Sequence, residues 1–241
     1  MHPTRRTAAL VGVFFVVAAV TAVVALAFYQ PALADPEYVL GAGADAAVLT
    51  GVALEVLLAA SVVGTGVALY PVMSRYGRAT ALGYALGRLA EALVILVGVV
   101  AVLAVVTLRQ VHATSGGDPD ALVTVARGLV AVHDATFLVG PGLIIGVNTT
   151  LLAWLVRRSG LVAGWIPVVG LVGGPLVLAS STAVLFGAYS QVSPVAGLGA
   201  LPVFVWEMSL AGYLLLRGFR SPAQAPEAVA EPSGRVAATV A

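Results

Sequence analysis

The sequence predicts an all-α, polytopic transmembrane bundle of six helices with both termini in the cytoplasm. Three observations lead there. Of the 241 residues, 60% are apolar and only 10% charged, whereas soluble domains carry about 25% charged residues. Six apolar runs are each long enough to cross a hydrocarbon layer of about 30 Å. Arginines flank those runs on alternate sides. Unbroken apolar runs argue for helices, because barrel strands alternate in polarity and cross in about ten residues. Lipid tolerates little else, since every backbone polar group must find a partner inside the segment.

The first run lies in "MHPTRRTAALVGVFFVVAAVTAVVALAFYQPALADPE". A basic start and "ALA" before Asp35 imitate a cleaved signal peptide. The apolar run covers about twenty residues, however, and a signal core about 7–15. It is therefore read as a retained first helix. The next runs cover residues 47–70, 81–106, 122–156, 165–187 and 197–216. The fourth is too long for one straight span, and "VGPGLIIG" interrupts it. Pro141 has no N–H, so the Phe137 carbonyl loses its helical partner and a kink is predicted. Residues 122–132 are then expected as an interfacial helix on the outer side. "GGPL" around Pro175 predicts a second kink. Gly83/Gly87, Gly142/Gly146 and Gly170/Gly174 permit close helix approach, and tight packing is their expected role. Residues 1–219 form the membrane domain. Residues 220–241 are rich in Pro and Ala without a hydrophobic period, which predicts a disordered cytoplasmic tail.

Orientation follows from arginine. Arg5 and Arg6, Arg75 and Arg78, Arg157 and Arg158, then Arg217 and Arg220 mark one side; Asp35, Glu37, Asp45, Arg109, Asp118 and Asp120 lie on the other. Positively charged loops stay inside, which predicts the arginine-rich side in the cytoplasm. The abundance of Ala, Val, Gly and Arg suits a high-GC bacterial genome, so a bacterial inner-membrane protein is expected. Membrane lipids are the partners this implies; protein partners are not legible.

Several functions are excluded by composition. Cysteine is absent, which removes disulfides, thiolate catalysis, iron–sulfur clusters and cysteine zinc sites. All twelve Lys+Arg residues are arginine, so a Schiff-base lysine is ruled out. The arginines occur in ones and twos, not as a nucleic-acid patch. Of the histidines only His133 lies near the membrane interior, too few ligands for zinc or bis-histidine haem. No cofactor and no metal is expected.

Charged and polar residues nevertheless sit inside the runs. Counting about 1.5 Å per residue from the flanking arginines puts Arg88, Glu91, Asn148 and Glu207 near mid-membrane. Glu55, His133 and Asp134 fall in the outer half. Tyr84, Arg88 and Glu91 share a helical stripe, and Arg127, Asp134, Pro141 and Asn148 recur every seven residues. A charge at mid-bilayer costs about 2.5–3.5 kcal/mol, so these stripes should face the bundle. Arg88 has donors enough for both Glu91 and a second carboxylate, and Glu207 lies at the matching depth. His133 and Asp134 point about 100° apart and do not form a facing pair. Glu55, Glu91, Asp134 and Glu207 make four acids against one permanent cation. At least one or two of them must take up a proton, bind a cation or reach water. Two readings stand: an ion pair that pins helix register, or a small-ligand or proton site built around Arg88.

The motifs "QPALADPEYVL", "GVALYPVMSRYG", "GYALGRLAEALV", "VHDATFLVGPG" and "LPVFVWEMSLAGYLLLRGF" together resemble a bacterial six-helix membrane family catalogued as domain of unknown function 4386. The resemblance runs from about Thr7 to Phe219. It implies a retained first helix and makes Arg88, Glu91, Asp134 and Glu207 a family feature; it implies no activity. Four function classes stay open: a ligand- or proton-binding membrane protein, a small-molecule or proton-coupled transporter, an intramembrane hydrolase or lipid-modifying enzyme, and a sensor or partner subunit with structural ion pairs. The hydrolase would draw its acid and base from Glu55, His133, Asp134 and Glu207; no catalytic residue is otherwise identified. Water access to a cavity favours transport, and a lateral opening beside His133 favours an enzyme.

Overall fold

A computed structural model of the chain describes residues 5–35, 37–41 and 45–220; the tail expected to be disordered lies, beyond Arg220, outside them. Among the described residues, seven α-helices build six spans. They are α1 (Arg5–Ala34), α2 (Ala46–Met73), α3 (Arg78–Ser115), α4 (Pro119–Phe137), α5 (Ile145–Ser159), α6 (Trp165–Leu185) and α7 (Pro194–Leu216). A π-helical segment, Leu138–Ile144, welds α4 to α5 into one long span. All six spans are long and apolar enough to cross a membrane, so the chain is a multi-pass membrane protein.

Local chemistry sets the ends. Asp118 accepts a hydrogen bond from the Asp120 N–H, and Pro119 opens α4. Ser193 does the same for Ala196 ahead of Pro194 in α7. In both, an N-cap oxygen satisfies an orphan donor and proline occupies a position needing none. Gly116, at φ 66°, ends α3, two turns beyond the apolar run. The extra turns hold because Val102, Val105 and Val106 pack with Ala126 of α4 and with Tyr29, Val39 and Val48. Residues 122–132 consequently do not form a separate interfacial helix. They continue into the rest of α4 and lie along α3. In the fifth span the helix carries on through Pro175.

Neighbours in sequence are neighbours in space, and α7 closes back on α1, so the spans form a ring. Both ends of the ring chain meet on the arginine-rich side. There Arg5 donates to the carbonyls of Leu214, Leu215 and Leu216 at 3.4, 2.6 and 3.1 Å, satisfying acceptors that the end of α7 leaves open. Lipid tails are as apolar as leucine, so close packing rather than water exclusion must hold such helices together. A Cβ on Gly146 would sit 2.9 Å from the Gly174 carbonyl oxygen, and one on Gly170 would meet the Trp206 ring at 2.7 Å. The arginine-rich half is plugged by Phe15, Leu69, Met73, Tyr84, Leu152, Trp206 and Leu210. Above that plug the ring is hollow.

Candidate functional site

The hollow is a cavity of 230 Å³ reached by residues of every span. Its floor is built on Arg88, which is 4% exposed. Three, four and seven residues bring Glu91, Tyr84 and Arg88 onto one face of α3. The Arg88 Nε–H donates to the Tyr84 hydroxyl at 3.2 Å, which donates to Thr65 Oγ1 at 3.2 Å, which donates to the Val62 carbonyl at 2.7 Å. Arg88 Nη1 forks onto Glu91 at 3.2 and 3.1 Å, and Nη2 reaches Glu207 Oε1 of α7 at 2.7 Å. Asn148 Nδ2 of α5 donates to Glu91 Oε2 at 2.8 Å. The Arg88 guanidinium also lies 5.5 Å from the Phe15 ring centre and 5.6 Å from that of Tyr84, within cation–π range. One guanidinium thus ties α1, α2, α3, α5 and α7 together.

A second polar level forms the roof. Tyr29 donates to Glu55 Oε2 at 3.0 Å, and the His133 ring stands edge-on to Tyr29 with centroids 5.5 Å apart. His133 Nε2 lies 3.9 Å from Glu55 Oε1, beyond hydrogen-bond reach, and His133 Nδ1 is buried without a hydrogen-bond partner. The spacing of the levels follows from a salt bridge beyond the cavity, where Arg109 binds Asp45 at 2.5 Å. Glu55 stands ten residues below that pair on α2 and Glu91 eighteen residues below it on α3. Roof and floor are therefore about 12 Å apart.

Between the levels the walls are Ala18, Ala22, Leu58, Val62, Ile95 and Val203. The rim is equally apolar. Val23, Phe137 and Phe204 line the cavity yet are 68%, 41% and 52% exposed, which marks a lateral opening between α1, α4 and α7. Among the described residues, one guanidinium faces the cavity together with three carboxylates, those of Glu55, Glu91 and Glu207.

Of the residues predicted from sequence, Arg88, Glu91, Glu207, Asn148 and Tyr84 meet at the floor, and Glu55 and His133 at the roof. Asp134 joins neither. Its side chain is 64% exposed and lies 3.6 Å from His133 Nδ1 without a hydrogen bond. Arg127, on the same predicted stripe, is exposed as well. The π turn is the reason: it inserts a residue between Asn148 and the residues before it, so His133 turns inward and Asp134 outward. Five participating residues went unpredicted. Thr65 is one of many membrane threonines and carries no distinguishing signal; Phe15 belongs to an apolar run. Tyr29 was findable as a hydroxyl ending the first run, and the Asp45–Arg109 pair as opposite charges bracketing two antiparallel helices. Among the described residues, no group of three or more His, Cys, Asp or Glu is placed to hold a metal ion.

No curated protein and no solved structure matches this chain. The family described as Domain of unknown function (DUF4386) matches residues 10–218. That match spans both polar levels and most of the chain, and the chain belongs to this DUF4386 family.

Proposed function

We propose that this protein sits in the bacterial cytoplasmic membrane with both termini inside, and that its central cavity binds a small amphiphile bearing a positive charge, admitted sideways from the lipid. The observation that carries the reading is the charge imbalance of an otherwise apolar, laterally open chamber. Three carboxylates face it against one guanidinium, and that guanidinium is already shared between Glu91 and Glu207. Burying uncompensated carboxylate is costly, so a cation supplied by the ligand, or a proton in its absence, is the natural complement. The space of 230 Å³ equals that of roughly eight waters, which suits a short alkyl amine. Acyl-chain-like apolar walls take its body, and Glu207, half-buried at the floor, takes its ammonium.

The opening lies near His133, and a Glu55–His133 pair at the roof favours a second reading, an intramembrane hydrolase with His133 as base. Geometry weighs against it. The Arg88 guanidinium that would stabilise an oxyanion is about 12 Å below that base, too far for one carbonyl to touch both. Binding is therefore the better reading. Its test is titration of the protein in lipid nanodiscs with hexylammonium and with hexanoate. Hexylammonium is expected to bind, hexanoate not, and Glu207→Gln is expected to lower the ammonium affinity at least tenfold. Ala200→Trp, at the exposed rim, should slow binding while leaving the unfolding midpoint in place. Equal affinity for hexanoate, or indifference to Glu207→Gln, defeats the proposal.

A further inference from the structure

The arginine-rich end carries a second recess, unrelated to the central cavity and opposite to it in charge. It measures 470 Å³ and is lined by Trp165, Tyr213, Arg217, Phe219 and Arg220 among others, with no acidic residue among the described residues. From this recess we infer a binding site for a phosphate group, of the kind carried by an anionic phospholipid headgroup or by free phosphate.

Four features support it. Arg220 is held in place rather than waving in solvent. Its Nε–H donates to the Tyr213 hydroxyl at 3.0 Å, and its backbone N–H donates to the Leu161 carbonyl at 2.8 Å. That leaves the two Nη groups of the fork for an oxyanion. Arg217 is exposed, and its side chain makes no hydrogen bond or ion pair among the described residues. Two guanidiniums without a counter-charge among the described residues therefore border one recess. The start of α6 borders it too: its N-cap is Gly164, which has no side chain to cap with, and Pro167 follows within the first turn. The positive end of that helix adds to the field. The negative end of α7 would oppose an anion here, but Arg5 already satisfies its last carbonyls. Trp165, 59% exposed, and Tyr213 supply the amphipathic rings that sit at headgroup level. The recess thus offers charge for the phosphate and an aromatic shelf for the glycerol and upper acyl chain.

The test uses the full chain in detergent, with binding read by native mass spectrometry and by fluorescence titration. Dioleoyl phosphatidylglycerol, dioleoyl phosphatidylcholine and inorganic phosphate are the probes. Each arginine near an anionic headgroup is worth about fivefold in affinity, so Arg217→Gln with Arg220→Gln should weaken phosphatidylglycerol binding about 30-fold at physiological salt. Phosphatidylcholine binding should not change. Arg157→Gln with Arg158→Gln, exposed arginines outside the recess, should alter phosphatidylglycerol affinity less than about twofold if the site is local. Should the first double variant fail to fold, Arg217→Gln alone, which removes no contact, should still cost about fivefold. Loss of inorganic phosphate binding in parallel identifies a free-anion site; loss confined to the lipid identifies a headgroup site. Unchanged phosphatidylglycerol binding in the recess variants, or an equal loss in the Arg157/Arg158 pair, overturns the inference.

Discussion

Replacing Arg88 by methionine should be among the most damaging single changes in this protein, and two further substitutions should undo most of the damage. Methionine fills the space of the arginine stem but leaves its partners stranded. Glu91 would keep only the Asn148 amide of its partners at the floor, and Glu207 would lose the one hydrogen-bond partner it has among the described residues. The Glu91 side chain is 3% exposed and that of Glu207 13%, so water can relieve the second far better than the first. Removing one member of a buried ion pair costs about 3–5 kcal/mol, because a charge is left without compensation. Loss of the packing over Phe15 and Tyr84 adds about 0.5–2 kcal/mol. The triple variant Arg88→Met, Glu91→Gln, Glu207→Gln carries no charge at the floor, and its glutamine at position 91 still offers Asn148 a carbonyl oxygen. Neutral replacement of a buried ion cluster is commonly close to isoenergetic, so the triple variant should lie within about 1 kcal/mol of wild type. Reversible unfolding by dodecyl sulfate in mixed micelles, followed by the fluorescence of fully buried Trp206, measures both. A single variant costing under about 1 kcal/mol, or a triple variant no better than the single, would refute the idea that charge compensation holds the floor. If the triple variant is stable yet no longer takes hexylammonium, the cluster is a binding device and not merely a helix pin.

Two other perturbations test the packing and the far-end latch. A Cβ on Gly87 would collide with Asn148 Oδ1, so Gly87→Ala should cost about 1–3 kcal/mol by prising α3 from α5. Gly128→Ala, in open space in the middle of α4, should be neutral or stabilise by up to about 1 kcal/mol in the same unfolding assay; an equal loss in the two variants would deny that the α3–α5 approach matters. At the latch, burial works to raise the Asp45 carboxyl, yet hydrogen bonds from Gln110, Tyr38 and Arg109 outweigh it and hold the group below its ordinary 3.8. A carboxyl lowered in the folded state stabilises fully above its unfolded value and loses that contribution as pH falls through the folded one. The stability difference between wild type and Asp45→Asn should accordingly be flat from neutral pH down to about 4 and shrink only below that. A difference that disappears near pH 6 would contradict the assignment.

Much of the architecture was legible because lipid leaves few choices. Apolar runs between arginine pairs had to be spans, and the ends observed for α6 and α7 lie within three residues of those runs. The floor of the cavity was legible for the same reason. Arg88, Glu91 and Glu207 are too expensive to leave facing acyl chains, and depth counted along straight helices placed them level. What could not be read were extensions and rotations. Arg109 does not end α3, because its charge is answered across the gap by Asp45 and by the Gly41 carbonyl at 2.9 Å. A helix end fixed by partners 64 and 68 residues away leaves no mark in local composition. The hydroxyl chain from Tyr84 through Thr65 was likewise invisible, since a membrane threonine usually bonds its own helix and this one does so as well as serving Tyr84.

The π turn decides more than the direction of the fourth span. The Ile145 N–H reaches back five residues to the Gly140 carbonyl, where an α-helix would reach back four. The π segment as a whole adds one residue to the helix and rotates what precedes it by about 100°. Counting from buried Asn148, the inward face recurs at Pro141 and then, after eight residues instead of seven, at His133 and Ala126, both buried. The cause is local: Pro141 has no N–H and a ring that crowds the preceding turn, and Gly140 and Gly142 give that turn room to widen. Gly140 also lets the turn seat on α3 beside Glu91, where a Cβ would come within 3.3 Å of Val94. Three residues of backbone chemistry thereby choose a histidine over an aspartate as the cavity's outer polar group. With an unbroken α-helix Asp134 would have faced Glu55, and two carboxylates would have met at the roof. With the widened turn Glu55 faces an imidazole at 3.9 Å instead of a second carboxylate, and the two acids at the floor share the Arg88 guanidinium. On the binding reading proposed above, the ammonium belongs at Glu207 and the alkyl body between the apolar walls of Leu58, Val62, Ile95 and Val203.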